Sequence, residues 1–218
     1  MISDITAVRA AHIVLASSSP RRVDILNTLL KCEATVVPST FPEDLDKSQY
    51  TPSQYVMENA RQKALEVFHR LTAENGMPPS VVVGADTVIA LDDTILEKPK
   101  STDAAVAMLT SLSGRAHDVS TGVALIYAGE DLASSVTENV FVETTHVEFG
   151  MLSQDVISAY VQSGEPMDKA GSYGIQGVGG SFVRSINGCY YNVVGFPMHR
   201  FCCELDCTRL RERARRQA

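Results

Sequence analysis

The chain has 218 residues, 44% of them apolar and 21% charged, with a net charge of −7. That length supports one large single-core domain, or two small lobes sharing a cleft, and the ordinary charged fraction argues against wholesale disorder. The acidic balance argues against a nucleic-acid partner, whose face needs many clustered Lys and Arg; a small polyanion needs only a local basic pocket or a divalent metal.

The start, Met1 to His12, lacks a basic stretch followed by a long apolar run, and the apolar run Ile13 to Ala16 is too short for an anchor. A soluble, cytoplasmic protein with no membrane partner is expected. Ile13 to Leu15 predicts a short buried strand. Ser19 and Pro20 then open a helix, as N-cap and first helical residue, with Val23, Leu26, Leu29 and Leu30 as its apolar stripe. Ala34 to Val37 predicts a second strand, leading into an acidic loop with Glu43, Asp44 and Asp46. Thr51-Pro52-Ser53-Gln54 is a capping box that starts a helix running to about Leu71. Val81 to Val83 predicts a buried strand with Gly84-Ala85-Asp86-Thr87 at its exit. Val88 to Leu91 and Thr94 to Leu96 predict a hairpin about Asp92-Asp93.

Further along, Ser101 caps a helix whose stripe is Ala105, Met108, Leu109 and Leu112, ended by Gly114. Val119 to Tyr127 and Val140 to Phe149 predict strands, and Ser153 to Ser163 a helix stopped by Gly164. Ser181 to Ile186 and Cys189 to Val193 predict a second hairpin through Asn187-Gly188. Pro197 begins a terminal helix with an Arg-rich end, Arg209 to Arg215, so residues 201–218 form a helical tail behind a core of about 13–200. Strands and helices alternate, and the hairpins exclude a purely parallel sheet, so the fold class is α/β with a mixed sheet. The five cysteines, Cys32, Cys189, Cys202, Cys203 and Cys207, form no CxxC pair and point to reduced thiols. Cys203 and Cys207 lie four apart on the predicted terminal helix, a spacing compatible with metal binding that lacks a matching ligand pair.

Four segments carry chemistry. Ser17-Ser18-Ser19-Pro20-Arg21-Arg22 joins a buried strand to a helix start, where open N–H groups and two guanidinium forks suit phosphate; the same text is also compatible with an ordinary capped helix. Asp86 in Gly84-Ala85-Asp86-Thr87 is suited to hold a divalent cation or deprotonate a water, and equally to cap a turn. Lys98, stiffened by Pro99, and Lys63, between Ala60 and Ala64 on a helix, are point charges for a terminal phosphate or plain exposed lysines. Asp168 to Gly180 holds five glycines between residues 171 and 180, permitting close backbone approach to a ligand. Within it the Gln176 amide pairs with a uracil or thymine edge, an N3–H flanked by carbonyls, whereas a carboxylate there would suit the donor-rich edge of guanine.

In this order, Leu15 to Arg22, Gly84-Ala85-Asp86-Thr87, Glu97-Lys98-Pro99, Leu112-Ser113-Gly114-Arg115 and Glu165 to Gly177 resemble the Maf family of nucleotide pyrophosphatases, over about Ile13 to Pro197. The resemblance implies an extended mixed sheet with flanking helices, in two lobes around a deep cleft, similar to inosine triphosphate pyrophosphatases. It implies hydrolysis of nucleoside triphosphates to monophosphate and pyrophosphate with Mg²⁺ or Mn²⁺. Asp86 matches the catalytic acid/base, Ser17, Arg21 and Arg22 the phosphate segment, Lys63 and Lys98 the cleft lysines, and Glu43 with Asp86 the metal site. Arg21, Thr87 and Gln176 match the specificity positions. The branch with Gln at this last position prefers dTTP and UTP, with CTP or modified pyrimidine nucleotides as further candidates; a sibling branch carries Glu and prefers 7-methyl-GTP. The family often has an acidic residue where this chain has Pro42, for which Asp44 or Asp46 would stand in. The resemblance is also compatible with a homodimer. A nucleotide-binding regulator of cell division with little turnover is the alternative reading.

Overall fold

The computed structural model describes residues 8–9, 12–129, 136–210 and 212. Among them, seven strands form one mixed sheet: β1 Ile13–Leu15, β2 Thr35–Val36, β3 Val81–Leu91, β4 Thr94–Leu96, β5 Ala116–Ala128, β6 Val136–Phe149 and β7 Val183–Asn187. The order is β2-β1-β3-β5-β6-β7, with β4 also on β3. β1 lies parallel to both β2 and β3, and every other pairing is antiparallel. The helices are α1 Pro20–Val23, α2 Pro52–Asn75, α3 Thr102–Leu112, α4 Gln154–Gln162, α5 Tyr190–Val194 and α6 Met198–Glu204. Among the described residues no helix is long and apolar enough to cross a membrane.

β3 is the axis of the molecule. β5 pairs with one edge of it continuously, from Val81↔Tyr127 to Ala90↔Asp118. The opposite edge is shared: β1 takes Val81 to Val83 and β4 takes Ile89 to Leu91. Residues 84–88 therefore have a strand partner on one side only, and a cleft opens at that gap. Side chains alternate along the strand. Val81, Val83 and Ala85 enter one core, and Ile89 and Leu91 on the same face enter another, so the two lobes share β3 and β5 and part between Ala85 and Ile89. On the reverse face Val82 and Val88 meet α2. Each buried Val, Ile or Leu among them contributes about 1.5–3 kcal/mol.

α2 is set by a complete capping box between Thr51 and Gln54 and ended by Gly76 in the left-handed region at φ 68°. It lies against β3 and β5 at glycine contacts: a Cβ on Gly84 would fall 2.1 Å from the Ala60 carbonyl oxygen, and one on Gly122 2.3 Å from that of Val56. Gly84 thus serves helix packing.

Three expectations are corrected. Asp86 sits in mid-strand, because pairing with β5 carries β3 unbroken through Gly84-Ala85-Asp86-Thr87. Cys189 to Val193 is no strand: β7 pairs with β6, and the chain then turns into α5, anchored where Thr145 Oγ1 receives the Cys189 N–H and donates to the Cys189 carbonyl. Cys203 lies in α6 and Cys207 beyond its end at Glu204, so the two do not share that helix; among the described residues no disulfide joins any of the five cysteines. Of the Arg-rich end, Arg209 is described, while residues 211 and 213–218 lie outside the described residues.

Candidate functional site

The cleft has a volume of about 560 Å³ and is lined by Ser17, Arg21, Arg22, Glu43, Lys63, Asp86, Thr87, Lys98 and Gln176, which are all of the residues expected from the sequence. Asp86 points from β3 toward α2. The Lys63 ammonium donates to Asp86 Oδ1 at 2.9 Å and the Asn59 amide to Oδ2 at 3.2 Å. Lys63 also pairs with Glu43 Oε2 at 2.5 Å. Glu43 is held in the left-handed region at φ 54°. Two carboxylates therefore converge on one cationic nitrogen. Burial pushes the Asp86 carboxyl above the usual carboxylate range, opposed by the charges of Lys63 and Arg22 and assisted by Glu43. An elevated, hydrogen-bonded carboxylate suits a general base. Each of its oxygens already has one protein donor and keeps another lone pair for a water.

On the other face of β3 Arg22 acts as a brace. Its Nε donates to the Gly195 carbonyl at 2.9 Å, one terminal nitrogen to Ser17 Oγ at 3.1 Å and the Ala85 carbonyl at 2.9 Å, and the other to Thr87 Oγ1 at 3.0 Å. The Ala85 carbonyl belongs to the strand edge left open between β1 and β4, so Arg22 closes the backbone gap that creates the cleft. Four of its five N–H groups are committed, leaving one for a ligand. Burial lowers its pKa, while the charge of Asp86 opposes this. The Thr87 hydroxyl is likewise occupied, by Arg22, by Thr121 Oγ1 at 2.9 Å and by the Gly195 carbonyl. Ser17 Oγ accepts from Arg22 and from the Ser19 N–H, and keeps its own proton to donate.

At the rim, Arg21 donates to Asp168 Oδ2 at 3.0 Å, and Lys169 to Asp168 Oδ1 at 2.5 Å. Hydrogen bonds from Lys169 and Arg21 hold the Asp168 carboxyl below its ordinary range, against the upward push of partial burial. Lys98 and Gln176 are exposed in the cleft, and no polar contact to either is present among the described residues. The segment from Ser17 to Arg22 differs from the expected helix terminus. α1 has only four residues before the chain widens into a π-helical turn at Asp24–Leu29, and the Ser19 side chain makes no cap bond. Its cations, rather than a helix dipole, supply the positive charge. Asp44 and Asp46 do not line the cleft, and Asp46 caps its own turn through Ser48.

Sequence reading missed Asn59, Thr121 and Gly195 as parts of the site, and named the segment opening with Asp168-Lys169 without pairing it with Arg21. A signal existed for Asn59. It lies on the buried stripe of α2 with Val56, Ala60 and Lys63, where a polar residue needs a reason. None existed for Gly195, whose carbonyl reaches Arg22 only because α5 is a helix.

No group of three His, Cys, Asp or Glu side chains able to hold a metal occurs among the described residues. The convergence of Glu43 and Asp86 on Lys63 still fits a hard divalent cation, which takes one or two carboxylates and completes its shell with other oxygens and water.

The family model described as "Maf-like protein" matches residues 12–207. The human "probable bifunctional dTTP/UTP pyrophosphatase/methyltransferase protein" is 50% identical over 89% of this chain, which spans only 31% of that protein's length. The dTTP/UTP pyrophosphatase of Clostridium perfringens strain 13 is 46% identical over 89% of this chain and 95% of its own. That of Thermococcus onnurineus is 47% identical over 85% and 92%. Among solved structures, a HAM1 protein from Coxiella burnetii is similar at a TM-score of 0.46 and 15% identity, over 88% of this chain and 97% of that one. With a match spanning residues 12–207 and relatives near half identity over nearly their whole length, this chain belongs to the Maf family.

Proposed function

We propose that the chain is a cytoplasmic nucleoside triphosphate pyrophosphatase that hydrolyses dTTP and UTP, with CTP or modified pyrimidine nucleotides as further substrates, to the nucleoside monophosphate and pyrophosphate. The observation that carries this reading is Asp86, buried and elevated, held by Lys63 and Asn59 at a cleft lined by four further cations. The relatives named dTTP/UTP pyrophosphatase support the substrate class.

In this mechanism the triphosphate lies along Arg21, Arg22, Lys63, Lys98 and the Ser17 hydroxyl, which offset charge on the phosphates as it shifts toward the leaving group. Asp86 accepts a proton from a water that attacks the α-phosphorus. The bond from that phosphorus to the α,β-bridging oxygen breaks, and pyrophosphate leaves with the oxygen. Glu43 and Asp86 would hold Mg²⁺ or Mn²⁺ together with the triphosphate, and the cation would supply Lewis acidity and neutralise phosphate charge. Gln176, with both ends of its amide free, would pair with the N3–H and a carbonyl of the pyrimidine.

The test is pyrophosphate release from dTTP, UTP, CTP, dATP and GTP with Mg²⁺, Mn²⁺ or EDTA, for the parent and for Asp86→Asn. Expected are cation-dependent release from dTTP and UTP with monophosphate as co-product, and a drop of roughly a thousandfold or more in Asp86→Asn, as for loss of a proton-transfer group. Activity of Asp86→Asn near that of the parent defeats the assignment.

A further inference from the structure

Gln176 makes no polar contact among the described residues, so the position of its amide depends on the backbone that carries it. That backbone is the glycine-rich segment 174–180. It is folded on itself by short-range bonds, Gly177 N to the Gly174 carbonyl at 3.2 Å and Gly180 N to the Gly177 carbonyl at 3.0 Å. These bonds fix its shape and leave its placement in the cleft to something else.

Glu165 supplies the placement. Its Oε2 accepts the Val178 N–H at 3.1 Å, and its Oε1 accepts the Gly179 N–H at 3.3 Å and the Tyr160 hydroxyl at 2.9 Å. The Tyr160 oxygen in turn accepts the Gly174 N–H at 3.2 Å, at the other end of the segment. The Glu165 carbonyl holds Lys169 Nζ at 2.6 Å, and the methylene stem of that lysine covers Gly174, where an added Cβ would lie 2.5 Å from Lys169 Cε. A Cβ on Gly177 would lie 2.2 Å from Glu165 Oε1. The carboxylate thus sits directly under the residue next to Gln176, and no bulkier backbone fits over it. Tyr160 belongs to α4, and its ring packs edge-on against Phe182 in the core, so the anchor is rigid.

We propose that Glu165, with Tyr160 as its support, is the positioning residue for base discrimination, fixing the 174–180 backbone so that the Gln176 amide meets a pyrimidine edge. The proposal rests on Gln176 reading the base. A paired amide–base contact requires alignment within a fraction of an ångström, so a segment that drifts loses discrimination while the chemistry at Asp86 persists.

The experiment measures kcat and KM for dTTP and dGTP in the parent, Glu165→Ala, Glu165→Gln, Tyr160→Phe, Gln176→Ala and the Glu165→Ala/Gln176→Ala double variant. Gln176→Ala sets the size of base reading. Expected for Glu165→Ala is a loss of the dTTP-to-dGTP ratio of kcat/KM of about tenfold, roughly one hydrogen bond's discrimination. The loss should appear in KM for dTTP, and the double variant should lose no more than Gln176→Ala alone. Glu165→Gln retains one acceptor oxygen and should fall between. Tyr160→Phe, which leaves the carboxylate in place and folds more readily, should move the ratio in the same direction. A ratio unchanged in both Glu165→Ala and Tyr160→Phe while Gln176→Ala shifts it overturns the role of Glu165 alone. A ratio unchanged in Gln176→Ala removes base reading by Gln176, and the positioning proposal with it.

Discussion

Replacing Lys63 with Gln tests the electrostatic reading of the site most directly. The Lys63 ammonium lies 2.9 Å from Asp86 Oδ1, and both side chains are nearly buried, at 9% and 12% exposure. Burial raises the Asp86 carboxyl, and Lys63 is the largest influence opposing it. At an effective dielectric of about 20, two opposite charges at 2.9 Å attract by roughly 6 kcal/mol, an upper bound on what is lost. Arg22 remains beside Asp86, and water entering beside the shorter side chain takes up part of the loss. The Asp86 carboxyl should therefore rise further. If Asp86 is the general base, the acid limb of kcat moves to higher pH in Lys63→Gln. The readout is kcat at saturating dTTP across pH, which separates this shift from the rise in KM that accompanies loss of a phosphate contact. Stability gives an independent sign. A carboxyl raised further in the folded state holds its proton there while the unfolded chain has lost it, so stability falls as pH rises between the two values. The variant should therefore be penalised most at neutral pH, by about 3–5 kcal/mol for a broken buried pair, and less in acid. An acid limb that stays in place while KM rises would show that the titrating group is not Asp86.

Two further outcomes follow from packing and burial. Gly84→Ala places a methyl 2.1 Å from the Ala60 carbonyl oxygen, so α2 must retreat from β3 and carry Asn59 and Lys63 with it. Urea melts should show a loss of about 3 kcal/mol, with activity down about a hundredfold in the folded fraction; parental activity would show that α2 does not set the geometry of Asp86. His117 is buried between Phe149 and Tyr173, and its Nδ1 has no hydrogen-bond partner among the described residues. Burial, then the neighbouring His146, lowers its pKa to about 4. The unfolded chain takes up this proton first, so stability is complete above about pH 6.5 and is lost as pH falls toward 4, by up to about 1.4 kcal/mol per unit. His117→Gln should flatten the unfolding free energy over that window, and an unchanged slope would assign the acid sensitivity elsewhere.

How far the site could be read from the sequence depended on whether a residue's partners were local. The Thr51–Gln54 capping box, the Asp92-Asp93 hairpin and the cap at Ser101 are local, and all form as expected. The Asp92-Asp93 turn even shows both residues at positive φ, as a two-residue hairpin demands. Asp86 was found as a residue but misplaced in its strand, because Gly84 and Asp86 read as breakers while β5, about forty positions away, holds the strand straight. Asn187-Gly188 gave the opposite error. A strong local turn signal lost to Thr145, whose hydroxyl captures Cys189 and the Asn192 amide and turns the following segment into a helix. That helix delivers the Gly195 carbonyl to Arg22, so the part of the site least visible in the sequence is the part that depends on the most distant contacts.

The pairing inside the cleft explains how a chain of net charge −7 keeps a cluster of cations in place. Lys63 is matched by Asp86 and Glu43, and Arg21 and Lys169 share Asp168. Arg22 is braced by neutral oxygens, which hold its direction without cancelling its charge. Only Lys98, among the cleft cations named, stands without a partner among the described residues. The cations are thus placed before substrate arrives, and little ordering remains to oppose binding. The carboxylates are what must adjust. A triphosphate competing for Arg21 displaces Asp168, which is 58% exposed and can turn to water. One competing for Lys63 loosens its hold on Asp86 and Glu43, and frees both carboxylates for the cation they would hold with the triphosphate.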